Sequence, residues 1–252
     1  MRITTLFSQI TLTLVLTACA ATVQAKPVTT HFIQGVEAFK QGHFQQAIDA
    51  FLPIAESGVE NGNLFYNLGD AYLKAGQLGQ AIYWYERAIP FMPRNADLKF
   101  NLDYARSLQI DDQPGQDTIL TRVLFFWKDI LAARTIQYLA LGSNVLLWLG
   151  LGFLTFCSSS WIKAMTTGAM LLVLLVTPTA LFQLYHTTLA PQAIIVADTA
   201  PIRSGRSQDA TELFVLHAGT RVDVQEQTEN YTKIAFGKEM FGWIEQKNLG
   251  IL

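Results

Sequence analysis

Hydrophobic and polar positions change period several times along the chain, and each change marks a new kind of element. From residue 28 to 107 apolar residues recur three and four apart, in blocks punctuated by Gly42, Gly76 and Pro93, which predicts short amphipathic helices joined by tight turns. Between Thr135 and Ile162 there is no charged residue, and Gln137 to Phe156 supplies 20 residues, or about 30 Å of helix, enough to cross a bilayer. Lys163 interrupts, and no further charge follows until Asp198, so residues 164–185 predict a second span after 137–157. Beyond Ala193 the period falls to two in "AIIVA", "TRVDVQEQ", "YTKIAF" and "FGWIEQ", with turns near Gly205, Gly219 and Gly237. That is the texture of a small all-β module.

The helical region repeats itself. An offset of 34 aligns Gly35 with Gly69, Gly42 with Gly76, Phe44 with Leu78, Ala47 with Ala81 and Phe51 with Tyr85. In each copy a small residue lets two antiparallel helices approach, a glycine ends the first helix, and an aromatic fills the gap. In the second copy Phe65, Leu68, Gly69, Tyr72, Ala81, Tyr85, Ala88 and Pro93 stand in the order and spacing of a tetratricopeptide repeat, which this stretch resembles. The first copy, 28–61, departs from the pattern at His31 and Gln34 and reads as an N-terminal cap to the second, 62–95. Leu98, Leu102 and Ala105 behind Asn95, an expected N-cap, add a solvating third helix over 96–107.

The resemblance implies a groove, lined by the first helix of each repeat, that binds a partner peptide. Its candidate residues are Phe39 in the first repeat, Tyr66, Asn67, Asp70, Leu73 and Lys74 in the second, and Phe100, Asn101 and Tyr104 in the third helix. Packing between hairpins is the alternative use of the aromatics. Some tetratricopeptide proteins clamp a C-terminal carboxylate with basic and Asn residues. Of that set only Asn67 is present, with Phe32, Val36, Asp97 and Asn101 at the other positions, so no such clamp is expected.

Half of the 252 residues are hydrophobic and 15% are charged, an apolar balance that the two spans explain. A net charge of -2 without a Lys/Arg cluster excludes a nucleic-acid surface. At the N-terminus, Arg2, an apolar run from Ile10 to Leu16 and small residues ending at Ala25 form a secretory signal peptide over 1–25. Leu16-Thr17-Ala18-Cys19 is the competing feature, a lipoprotein box that would lipidate Cys19. Residues 108–136 are expected to be a linker followed by an interfacial helix, "RVLFFWKDILAAR". Export of the N-terminus followed by two spans leaves repeats and β-module both outside the cytoplasm. Arg122, Lys128 and Arg134 at the outer end of the first span run against the positive-inside bias. Gly142, Gly150 and Gly152 are candidates for a close helix contact, and Asn144 for a polar link between the spans.

The β-module, 193–252, is similar to bacterial SH3 domains through Ile202-Arg203-Ser204-Gly205, Leu216, Ala218-Gly219-Thr220, Tyr231 to Ile234 and Gly242-Trp243-Ile244. Tyr231, Phe241 and Trp243 are its groove candidates, with core filling the stronger expectation for Trp243. Catalytic constellations are not supported. The histidines at 31, 43, 186 and 217 have no metal-ligand spacing, Ser160-x-x-Lys163 stands in a short membrane loop without partner motifs, and Asp111-Asp112 read as a solvated turn. A non-enzyme without metal or cofactor is expected.

The whole chain therefore reads as a multidomain membrane protein: an all-α tetratricopeptide domain, two transmembrane helices and a small all-β SH3-like barrel. That order of parts resembles the BatE-type members of the bacterial Bat aerotolerance family. The resemblance implies an inner-membrane scaffold working with von Willebrand factor A domain membrane proteins and a MoxR-type AAA+ ATPase. A cell-wall sensor, binding peptidoglycan peptides through the SH3-like module, is the alternative.

Overall fold

The computed structural model describes residues 25–111, 131–157, 159–188, 191–237 and 239–252. Residues 1–24 of the expected signal peptide, with Cys19, and Asp112 and residues 122–130 of the expected interfacial helix lie outside the described residues. The chain divides into two compact units, one ending at Glu60 and one of Asn61–Leu252.

The first unit is a helical hairpin, α1 (Ala25–Lys40) and α2 (Phe44–Glu56). The second begins with another, α3 (Gly62–Lys74) and α4 (Leu78–Ala88), followed by α5 (Ala96–Ser107). The 34-residue period is a period of backbone geometry. Gly42 and Gly76 end α1 and α3 with φ of 79° and 78°, the left-handed region that an L side chain resists. Each leads a matching closure: His43 N–H bonds Ala38 O at 2.9 Å, and Gln77 N–H bonds Tyr72 O at 2.9 Å. Gly35 and Gly69 are equally matched. A methyl group on the first would stand 2.7 Å from Phe51 Cζ, and one on the second 2.5 Å from Tyr85 Cε1, well inside carbon–carbon contact. Asn61 and Asn95 cap α3 and α5, with side-chain oxygens accepting from Leu64 N–H at 3.2 Å and Leu98 N–H at 2.8 Å.

Two long apolar helices follow, α6 (Ala133–Phe156) and α7 (Ser160–Thr188). Both are long and apolar enough to span a membrane, over Arg134–Phe156 and Ser160–Phe182. They pack on each other through Ile136, Ala140 and Val176. Asn144 Nδ2 donates to Thr177 Oγ1 at 3.2 Å, which makes it the polar link between the two helices. Of the three candidate glycines only Gly150 makes a close approach, to Thr166, whereas Gly142 and Gly152 face open space.

The C-terminal part is one antiparallel sheet of seven strands: β1 (Gln192–Ile195), β2 (Thr199–Arg203), β3 (Glu212–His217), β4 (Arg221–Gln227), β5 (Tyr231–Phe236), β6 (Met240–Glu245) and β7 (Leu249–Ile251). The strand order is β3-β2-β6-β5-β4-β1-β7. Every strand sends residues into a single core that includes Ile195, Ile202, Leu216, Val222, Ile234, Ile244 and Leu249, so the sheet curls around its own apolar face. Phe214 packs at the edge of that core, while Leu213 and Val215 beside it are exposed.

The sheet is docked on α4. Gly79, Ile82, Tyr83 and Glu86 form one stripe of that helix at the spacing i, i+3, i+4, i+7. A Cβ on Gly79 would meet the backbone of Ile195 and Val196 at 2.6–2.8 Å. Gly219 lies against Ile82, and Gly250 against the Tyr83 ring. Glu86, one tenth exposed, pairs with Arg221 of β4 and, at 2.5 Å, with Arg106 of α5. Because the atoms facing Gly79 are backbone, Gly79→Val has nothing flexible to displace. It is expected to open the interface, at a cost of about 1–3 kcal/mol, read as a lower unfolding midpoint and faster amide exchange in both α4 and β1. An unchanged midpoint would show that the sheet does not rest on this stripe.

Candidate functional site

The groove candidates sort into two groups. Phe39 belongs to the first hairpin, where its half-buried ring meets Phe44 edge-on with centroids 5.5 Å apart. Tyr66, Asp70 and Asn101 are brought together in the second unit by a network across α3, α4 and α5. Asn101 Nδ2 donates to Asp70 Oδ1 at 2.8 Å and to Tyr66 Oη at 3.1 Å. Tyr85 Oη donates to the same Asp70 oxygen at 2.6 Å. Tyr85 is the member that sequence reasoning missed: the repeat pattern marks it as a packing aromatic, and its ring does pack on Gly69, but its hydroxyl reaches past the helix contact to Asp70.

Asn101 sits on a stripe of α5 with Asp97, Phe100 and Tyr104, again i, i+3, i+4 and i+7. Phe100 is 73% and Tyr104 52% exposed, so these two aromatics are presented rather than packed. On α3, Asn67 and Leu73 are half-buried and Lys74 is exposed. This face thus offers aromatic rings around a polar floor, which suits recognition of a peptide segment.

Burial pushes the Asp70 carboxyl above its usual range, and hydrogen bonds from Tyr85, Asn101 and Tyr66 with the charge of Lys74 offset only part of that. Its neighbours respond in kind. Burial, then the Asp70 charge, lifts the Tyr66 hydroxyl to about 12, and Tyr85 is raised further for the same reasons. Both tyrosines therefore remain neutral donors at any physiological pH.

On the sheet, Tyr231 and Trp243 line a cleft of about 290 Å³ together with Pro201, Arg203, Glu245, Lys247 and Asn248. Phe241, 57% exposed, stands on the same outward face two residues along β6, with Lys233 Nζ 5.8 Å from its ring centre. Trp243 is not the core residue expected of it. Alternation along β6 puts Gly242 and Ile244 inward, leaving Trp243 outside under the Arg206 guanidinium, 4.1 Å from its ring centre.

Asp111 is likewise not a solvated turn. One carboxylate oxygen accepts from His217 N–H at 2.7 Å and Thr220 Oγ1 at 2.6 Å, and the other lies 2.9 Å from His217 Nδ1. Beside it Gln109 donates to Gly219 O. The segment after α5 is thereby clasped to the turn between β3 and β4, which locks the sheet to the helices before it.

The tetratricopeptide repeat family matches residues 34–96. No curated protein matches the chain significantly. The match begins within α1 and ends at the first residue of α5, so it identifies a protein-interaction repeat and leaves the two long apolar helices and the sheet to their own evidence.

The clasp has a pH signature. Burial of Asp111 acts to raise its pKa, but the bonds from Thr220 and from the backbone and ring of His217 outweigh it and hold the carboxyl below its ordinary 3.8. A depressed acid contributes stability that is whole above the unfolded value and is lost as pH falls through the folded one. Amide protection at residues 217–220, corrected for the intrinsic exchange rate at each pH, is therefore expected to fall below pH 3.8 in the native chain, and Asp111→Ala to show that lower protection already at pH 7, with about 1–3 kcal/mol lost from the donors left unpaired. Equal protection in the variant at pH 7 would remove the clasp from the account.

Proposed function

We propose that this chain is a non-enzymatic scaffold of the bacterial inner membrane. The groove face of α3 and α5 captures a segment of a partner protein while α6 and α7 hold the assembly in the bilayer. The observation that carries this reading is the joined network of Tyr66, Asp70 and Asn101 with the exposed rings of Phe100 and Tyr104 beside it. A tetratricopeptide repeat binds proteins, and here the face that would do so is both preorganised and uncovered.

The order of parts supports a place in a Bat-like aerotolerance complex, with von Willebrand factor A domain proteins and a MoxR-type AAA+ ATPase as the partner system. In this reading the repeats and the SH3-like module face the periplasm. The docking of the sheet on α4 supports their sharing one side of the membrane, as a pair of spans requires, and the N-terminal export signal selects the side. A second reading has an observation of its own: the cleft between Tyr231 and Trp243 favours an SH3-like module that binds peptidoglycan peptides, making the protein a cell-wall sensor. Two modest sites fixed on one body would also raise each other's effective concentration for a bivalent partner.

Pull-down of a tagged full-length chain from crosslinked cells, with mass spectrometry of what accompanies it, tests the two readings. The scaffold predicts recovery of von Willebrand A domain and AAA+ proteins, lost when Tyr66, Asp70 and Lys74 are replaced together. Recovery unchanged by that triple variant would defeat the groove. Recovery of wall-synthesis proteins that depends instead on Tyr231 and Phe241 would make the sensor the better account.

A further inference from the structure

Glu86, Asp111 and Asp70 of the second unit are drawn partly out of water, and they are settled in different ways. Glu86 is paired with two arginines. Asp111 is held by three hydrogen bonds, one of them from a histidine ring. Asp70 has only neutral donors, the hydroxyl of Tyr85 and the amide of Asn101, with Tyr66 beside them. Among the described residues it forms no ion pair. Lys74, one turn along α3, acts on it only through its charge and is itself exposed.

A half-buried carboxylate without a cation is electrostatically incomplete, because neutral hydrogen bonds fix its position without cancelling its charge. The surroundings strengthen the same demand. Asp97, exposed on the neighbouring stripe of α5, is close enough to act on Tyr66, so the face carries Asp70 and Asp97 against the one charge of Lys74. Phe100 and Tyr104 on that stripe are exposed aromatic rings, a side-chain type that attracts a cation and can cover the methylene stem behind it.

Resting on the reading that this groove binds a protein segment, we propose that the segment is anchored by a basic side chain, Lys or Arg, seated against Asp70 and flanked by Phe100 and Tyr104. The bound cation completes the charge that the protein's own groups leave open. The hydrogen bonds from Tyr85 and Asn101 hold the carboxylate in place beforehand, so little ordering remains to be done on binding. The groove thus has the opposite charge preference from a site that clamps a carboxylate.

The experiment is selection of a randomised twelve-residue peptide library, displayed with its N-terminus blocked, on the full chain in lipid nanodiscs. Enrichment of Lys or Arg at one position is expected. Replacing that residue by citrulline or norleucine in a selected peptide is expected to weaken binding tenfold or more by fluorescence anisotropy, as for loss of a hydrogen bond to a charged group. On Asp70→Asn, which keeps an acceptor for Tyr85 and removes the charge, basic and neutral peptides should bind alike. Peptides that bind through the groove, and are lost on Phe100→Ala with Tyr104→Ala, yet show no basic preference, would overturn the cation while leaving the groove reading standing. Selected peptides indifferent to Phe100 and Tyr104, or no enrichment at all, would overturn both. The two aromatics are exposed, so their replacement leaves the fold in place and keeps the comparison fair.

Discussion

Helix α4 has eleven residues and must satisfy two neighbours at once, and the rest of the second unit is arranged around that constraint. One side inserts Tyr85 against Gly69 of α3, which is possible only because α3 has no side chain there. The stripe Gly79, Ile82, Tyr83 and Glu86 takes the sheet. Both contacts are made by removing side chains so that bulk on one element meets backbone on the other, with Gly69, Gly79, Gly219 and Gly250 the yielding positions. Close packing of this kind is stiff, since interiors at native density have no slack to absorb a misfit. It also explains why groove, dock and clasp belong to one body: Tyr85 reaches the Asp70 network from the same helix whose stripe holds the sheet.

Charge is distributed over this body by a consistent logic. Glu86 lies where helix, helix and strand meet, and two arginines from different elements close on it. Removing one partner of such a group costs more than the pair itself contributes, so it fixes the register of the dock more than it adds stability. Asp111 does the same with hydrogen bonds at the point where the chain leaves the repeats. Among the described residues Asp70 forms no ion pair, and its partners are the neutral donors Tyr85 and Asn101. Glu86 and Asp111 are thus completed within the fold, whereas the incomplete Asp70 belongs to the face proposed for partner binding.

Much of this was legible in the sequence where a physical requirement repeats at a fixed distance. The glycine that ends a helix and the glycine that admits an aromatic each occur twice, 34 residues apart, and the same dihedral angles and ring contacts occur twice in the structure. The two long apolar helices were legible because each is announced by an uncharged apolar run of the length that a span needs. The dock was not. Gly79, Ile82, Tyr83 and Glu86 form an ordinary mixture of residue types, and the residues that face them, Gly219, Arg221 and Gly250, lie more than a hundred positions away with no local pattern to announce the pairing. Asp111 was misread for the same reason: its partners are at sequence separations of 106 and 109, and beside Asp112 in a polar stretch it has the composition of a solvated turn. Trp243 was misread because composition favours a buried Trp in a small β-module, whereas the alternation set by Gly242 and Ile244 turns it outward.

The central claim is that the face of α3 and α5 is where a partner protein sits. A photoreactive amino acid placed in turn at Phe100, at Tyr104 and at Leu213, an exposed residue of the sheet, tests it directly in intact cells. The account predicts discrete protein adducts from 100 and 104 and none from 213. Adducts from neither groove position, in a chain that is folded and normally abundant in the membrane, would contradict it.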